Sequence, residues 1–167
     1  MVESGQCKVV AETSNAGYQW RWLAAMMGLP FIPSRNLLGT DTGNYSSCKV
    51  VTDPFTHKPI NLIPAAYPDV AFIHVHRCDV SGNAQIDSIL VEDFELSRCA
   101  RRLIITTEEI VEDEFIRREP WRTSIPFLVV DAVVEVPYGS HPCEMPGMYY
   151  YDEDHISEWL TLSKTAE

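Results

Sequence analysis

The segment Asp69-Val-Ala-Phe-Ile-His-Val-His-Arg-Cys-Asp79 constrains the fold more than any other stretch of this chain. Val70 to His76 is an apolar run in which only the alternating His74 and His76 are polar. Near-continuous apolar strands of this kind belong to sheets covered on both faces. The run leads into Arg77 and then into the turn Asp79-Val-Ser-Gly-Asn83. Polar groups therefore stand at the end of a buried strand, where open α/β sheets hold their ligands.

The rest of the chain alternates between strand and helix patterns. Lys8 to Ala11 reads as a short strand. Tyr18, Trp22, Leu23 and Met26 recur at helical spacing, with Gly28 just past the expected end. Gly28 to Asp41 has two prolines and no clear period, so it reads as an ordered surface loop. Lys49 to Thr52 suggests another strand, with Asp53-Pro54 as its exit turn.

Ile89 to Arg101 looks helical, and Leu103 to Ile105 looks like a buried strand. Thr106-Thr-Glu-Glu109 has the form of a capping box, which predicts a helix running to about Arg118, ahead of Pro120. Phe127 to Val136 is a further apolar run, broken by Asp131 and Glu135. Asp152 to Leu162 predicts a last helix with Ile156, Trp159 and Leu160 inward, and residues 163–167 are expected to fray. The expected class is α/β, with an open, mostly parallel sheet and helices on both faces, in one domain over residues 1–162.

Charge and cysteine content exclude several functions. The net charge of −11 and the lack of a long basic run leave no footprint for nucleic acid. No segment approaches a membrane span and no export signal is seen, so a cytoplasmic protein is expected. The five cysteines are scattered and include no Cys-x-x-Cys, which reads as free thiols.

Several residues could carry chemistry. Arg77 could grip a carboxylate in two-pronged fashion, with the Asn83 amide beside it. From spacing alone, Asp79 to Asn83 is more simply a strand-exit turn. His74, His76 and Cys78 alternate on one strand face, yet no third or fourth ligand is evident nearby, so a hydrogen-bonded buried pair is expected and no metal site. His141 lies in a strand-exit loop and could act as a general base, though a surface turn histidine is the simpler reading. Glu12 and Asn15 flank the start of the first helix, where a carboxylate could act as base or nucleophile. Glu108 and Glu109 are read as helix-start groups. No dinucleotide fingerprint, P-loop or Gly-x-Ser-x-Gly occurs.

Taken together, several ordered segments resemble the α-subunit of family I CoA-transferases, in particular the glutaconate CoA-transferase group. They are Ser14-Asn15, Gly28-Leu-Pro-Phe-Ile-Pro-Ser-Arg-Asn-Leu-Leu-Gly-Thr-Asp41, Pro64 to Arg77, Asp79-x-x-Gly82-Asn83-Ala-Gln85 and Thr107-Glu-Glu-Ile-Val111. Val136-Pro-Tyr-Gly-Ser-His-Pro142 and Tyr151-Asp152 complete the set. The family's α-subunit begins with a longer segment carrying a glycine-rich turn. Nothing like it precedes Val9, so the chain resembles the C-terminal half or two-thirds of such a subunit, with an incomplete sheet.

The resemblance implies transfer of CoA from an acyl-CoA to a small carboxylic acid through a glutamyl-CoA intermediate. The nucleophilic glutamate is expected on a β-subunit partner, so no catalytic residue is expected here. Coenzyme A would be a substrate, and no cofactor is implied. Substrate-binding candidates are Asn15, Ser34, Arg35, Arg77, Asp79, Gly82, Asn83 and Gln85. Two alternatives remain. One is a subunit of a ring-opening acyl-CoA hydrolase on the same fold, whose α-chain glutamate would lie near Asn15. The other is a non-catalytic binding module that covers its apolar surface by forming a homodimer.

Overall fold

The computed structural model describes residue 2 and residues 4–164. The chain forms two compact units, Met1–Pro68 and Asp69–Glu167, each with its own sheet. No helix among the described residues is long and apolar enough to cross a membrane.

The first unit opens with α1, Asn15–Met26. Ser14 caps it: its Oγ accepts from the Gly17 N–H at 3.0 Å, satisfying one of the donors a helix start leaves unpaired. Gly28 follows at φ +70°, the left-handed turn that ends many helices. Then come β1 (Phe31–Ser34), α2 (Asp41–Tyr45), β2 (Lys49–Thr52) and β3 (Pro59–Pro64). The sheet is antiparallel with β3 in the middle. β1 is an edge strand, and such a strand tolerates Pro33.

Two expectations fail in this unit, and β3 was not foreseen. Lys8 to Ala11 forms no strand; an isolated bridge joins Glu12 to Ser46 instead. Val10 there is 89% exposed, so β-propensity has no face to pack against. The proline-containing segment from Gly28 to Asp41 is not all loop, because β1 lies within it.

The second unit runs β4 (Ala71–Cys78), β5 (Ala84–Gln85), α3 (Asp93–Cys99), β6 (Leu103–Ile110), α4 (Asp113–Arg118), β7 (Thr123–Ile125), β8 (Ala132–Glu135) and α5 (Glu153–Ser163). Strand order is β7-β5-β4-β6-β8. β6 is parallel to both β4 and β8, while β5 is antiparallel to both β4 and β7, so the α/β sheet is mixed. Ala71, Ile73, Val75, Leu103, Ile105 and Ile125 are buried in its core. Each large aliphatic side chain there contributes roughly 1.5–3 kcal/mol of burial.

Several boundaries differ from the sequence reading. α3 is shorter than Ile89 to Arg101, and Ile89 is 85% exposed. The Thr106–Glu109 capping box does not exist: those residues continue β6, and α4 starts only at Asp113. The Phe127–Val136 run splits into a 3-10 turn (Phe127–Val129) and β8. Asp131 lies between them and accepts the Leu103 N–H at 2.7 Å, which seats β8 beside β6. In α5, Ile156 is partly buried but Trp159 and Leu160 are exposed. Of the tail expected to fray, Ser163 closes α5, Lys164 follows it, and residues 165–167 lie outside the described residues.

Candidate functional site

The end of β4 is built around Asp79, which is 2% exposed. Its Oδ1 accepts the backbone N–H groups of Ser81, Gly82 and Asn83 at 3.0, 2.8 and 2.9 Å. Its Oδ2 accepts the Asn83 side-chain amide at 2.8 Å. Asn83 Oδ1 in turn accepts the Phe127 N–H at 3.1 Å. Gly82 sits at φ +102°, and a Cβ there would lie 2.8 Å from a Val130 methyl, so glycine is required on two counts.

Arg77 and Gln85 face each other across the β4–β5 pair and are joined by a 3.3 Å hydrogen bond. The Arg77 guanidinium also meets Asp87 at 2.6 Å and lies 5.6 Å from the Phe115 ring centroid. Asp87 is shared with Arg122. Burial pushes the Asp87 carboxyl up, but the two guanidinium groups outweigh it and hold it below the usual range. Beside this turn is a cleft of about 220 Å³ lined by Ser81, Asn83, Arg117 and Phe127, among others.

The candidates thus fall into two groups. Arg77, Asp79, Gly82, Asn83 and Gln85 share one hydrogen-bonded corner of the second unit. Asn15, Ser34 and Arg35 belong to the first unit. There, Ser34 Oγ accepts the Asn36 N–H at 3.0 Å, and the Asn36 amide donates to Ser14 Oγ beside Asn15. Asn15 and Arg35 are exposed.

A second polar cluster escaped the sequence reading. Glu108 is not a helix-start group but a buried member of β6. Its carboxylate receives the Tyr138 N–H at 2.7 Å, contacts His74 Nε2 at 2.8 Å and accepts the Tyr149 hydroxyl. The other His74 nitrogen meets Thr106 Oγ1 at 2.9 Å, and the Ser140 N–H donates to the Tyr149 oxygen at 3.1 Å. Gly139 closes over this cluster: a Cβ there would collide with the His74 ring.

Burial raises the Glu108 pKa, but the bonds from His74, Tyr149 and Tyr138 together bring it below its ordinary value of 4.5. A carboxyl depressed by folding contributes stability that is complete above its unfolded pKa and is lost as pH falls through the folded one. Unfolding midpoints should therefore drop as pH goes below about 4.5, and Glu108→Gln should flatten part of that drop. Urea titrations of both proteins across the acid range check this.

The metal reading of His74, His76 and Cys78 finds no support. Both His74 nitrogens are engaged in the Glu108 cluster. His76 accepts the Asp87 N–H at Nδ1 (3.1 Å) and donates from Nε2 to the Pro146 carbonyl (2.8 Å). Burial pushes the Cys78 thiol up to about 11, the wrong direction for a thiolate ligand. Cys99 is likewise raised to about 11 by burial. Among the described residues, His141, His155 and Asp152 bring two histidines and a carboxylate together, with ligand atoms within 4.8 Å of one another.

The model of the family described as Coenzyme A transferase matches residues 2–136. A protein of Archaeoglobus fulgidus is 63% identical over 166 residues, which cover 99% of this chain and 37% of that protein. The α-subunit of glutaconate CoA-transferase from Acidaminococcus fermentans is 36% identical over 163 residues, covering 87% of this chain and 51% of that polypeptide. The crystal structure of glutaconate coenzyme A-transferase from Acidaminococcus fermentans superposes with a TM-score of 0.91 at 31% identity, covering 98% of this chain and 57% of that one. The cholesterol ring-cleaving hydrolase IpdA subunit of Rhodococcus jostii is more distant, 28% identical over 154 residues, covering 86% of this chain and 52% of that polypeptide. The chain spans about half the length, or less, of the curated relatives it matches.

Proposed function

Because this chain belongs to the coenzyme A transferase family, we propose that it is all or part of the α-subunit of an enzyme that moves CoA between an acyl-CoA and a small carboxylic acid. The observation that carries this reading is the superposition of 98% of the chain on a solved CoA-transferase at a TM-score of 0.91.

In the proposed reaction a β-subunit glutamate attacks the acyl-CoA thioester, forming an acyl anhydride and releasing CoA thiolate. The thiolate then attacks the glutamyl carbonyl, which frees the first acid and leaves a glutamyl-CoA thioester. The second acid enters by the reverse sequence. The chemistry of this chain is consistent with a supporting role. The Glu108 carboxylate is saturated with donors, and the buried Cys78 and Cys99 thiols are both pushed to about 11. None of these is an activated nucleophile. Arg77 and the Asp79–Asn83 turn would instead contact substrate from the second unit, and Asn15, Ser34 and Arg35 are separate substrate-binding candidates of the first unit.

The test is co-expression with a glutaconate-type β-subunit, followed by measurement of acetyl-CoA formed from glutaconyl-CoA and acetate. Exchange that requires the acceptor acid is the expected result. CoA release at the same rate with and without acetate would instead fit the hydrolase reading and overturn the proposal.

A further inference from the structure

We propose that His141, Asp152 and His155 form a binding site for one zinc ion, tying the loop after β8 to the start of α5. Each residue offers a ligand atom, and these atoms lie within 4.8 Å of one another. His141 Nε2 and Asp152 Oδ2 are 3.0 Å apart, and the His141 and His155 rings meet edge to face at 5.0 Å between centroids. Ligand atoms bound about 2.0–2.1 Å from a tetrahedral zinc stand roughly 3.3 Å apart. The first pair already has nearly that spacing, and His155 needs only a side-chain movement at an exposed position.

The donor set decides the class of ion. Two imidazoles and one carboxylate suit zinc, whereas calcium and magnesium take oxygen ligands. Asp152 is also held in place for the task. As the cap of α5, its Oδ1 accepts the His155 N–H at 2.9 Å, which leaves Oδ2 turned toward His141.

The helix start itself repels a cation, but Glu153 and Asp154 in the first turn of α5 offset that field. Zinc would replace the proton between His141 Nε2 and Asp152, with the imidazole carrying its proton at Nδ1. Three protein ligands leave a fourth position for water. A cleft of about 520 Å³ adjoins it, bordered by Tyr138, Tyr149, Tyr150 and Tyr151.

The exposed thiols Cys7 and Cys143 also attract zinc, so the experiment uses the full chain with its accessible cysteines alkylated. Calorimetric titration with zinc chloride at neutral pH is expected to show one saturable site per chain. His141→Ala and His155→Ala should each weaken it roughly tenfold or more. Asp152→Asn should weaken it as well while preserving the α5 cap, because asparagine caps as well as aspartate. Thermal melts confirm that the variants remain folded. No saturable uptake, uptake unchanged by the double histidine variant, or uptake abolished by alkylation would each overturn the proposal.

Discussion

Glu108→Ala should destabilise the second unit by about 3–5 kcal/mol, the range seen when one partner of a buried charged cluster is removed. The Glu108 side chain is 4% exposed and that of its partner His74 is 14% exposed. Truncation leaves the Tyr138 N–H, the Tyr149 hydroxyl and His74 Nε2 without their acceptor, in a space that Gly139 closes. At a typical urea dependence of about 2 kcal/mol per molar, the midpoint should fall by about 2 M. Glu108→Gln keeps one oxygen and should cost less, about 1–2 kcal/mol. Tyr149→Phe, which removes one donor and keeps the ring, should cost about 1 kcal/mol. A Glu108→Ala midpoint within experimental error of the parent would show that the cluster contributes nothing to stability.

The second large effect is expected at Asp79. Asp79→Ala removes the acceptor for three backbone N–H groups and one side-chain amide at a site 2% exposed. Unsatisfied buried donors cost about 1–3 kcal/mol each. The turn will relax to hydrate some of them, so a loss of about 3 kcal/mol is expected rather than the full sum. Asp79→Asn retains an acceptor at Oδ1 but sets an amide NH₂ against the Asn83 amide, and should fall in between. Hydrogen exchange at Ser81, Gly82 and Asn83 distinguishes the mechanisms. Local exchange should accelerate in Asp79→Ala even where the rest of the sheet stays protected, whereas uniform acceleration throughout would mean that the loop has no special role.

The contrast between these two sites explains what the sequence could disclose. The Asp79 turn is local: aspartate, glycine and asparagine lie within five positions, and their roles follow from the spacing. The end of α1 at Gly28 and the start of the last helix near Asp152 were legible for the same reason. Glu108 was not, because its partners lie 30 to 41 residues away along the chain. Thr106 to Glu109 matches a helix-start pattern locally, but pairing with β4 keeps the segment extended, so tertiary contacts override the cap signal.

β3 was missed because Pro59 and Pro64 mark its ends and one of its buried positions is the polar Asn61, held by the Asn36 carbonyl at 2.7 Å. Asp152 and His155 are three positions apart on a helix start, a spacing open to inspection. Their convergence with His141 depends on the path of the intervening loop.

The strand order β7-β5-β4-β6-β8 also bears on how this sheet is made during synthesis. β4 emerges from the ribosome first and ends in the middle. β5 then joins one side and β6 the other, β7 extends beyond β5, and β8 extends beyond β6. Each new strand meets an open edge, and none has to wedge between neighbours already paired. At about 5–20 residues per second, β4 waits seconds for β6, with an apolar strand unpaired on that side. That interval is when the nascent chain is most exposed to wrong edge pairing. β5 follows β4 directly but covers only a short part of its other edge, whereas β6 pairs with its own side along nearly the whole of β4.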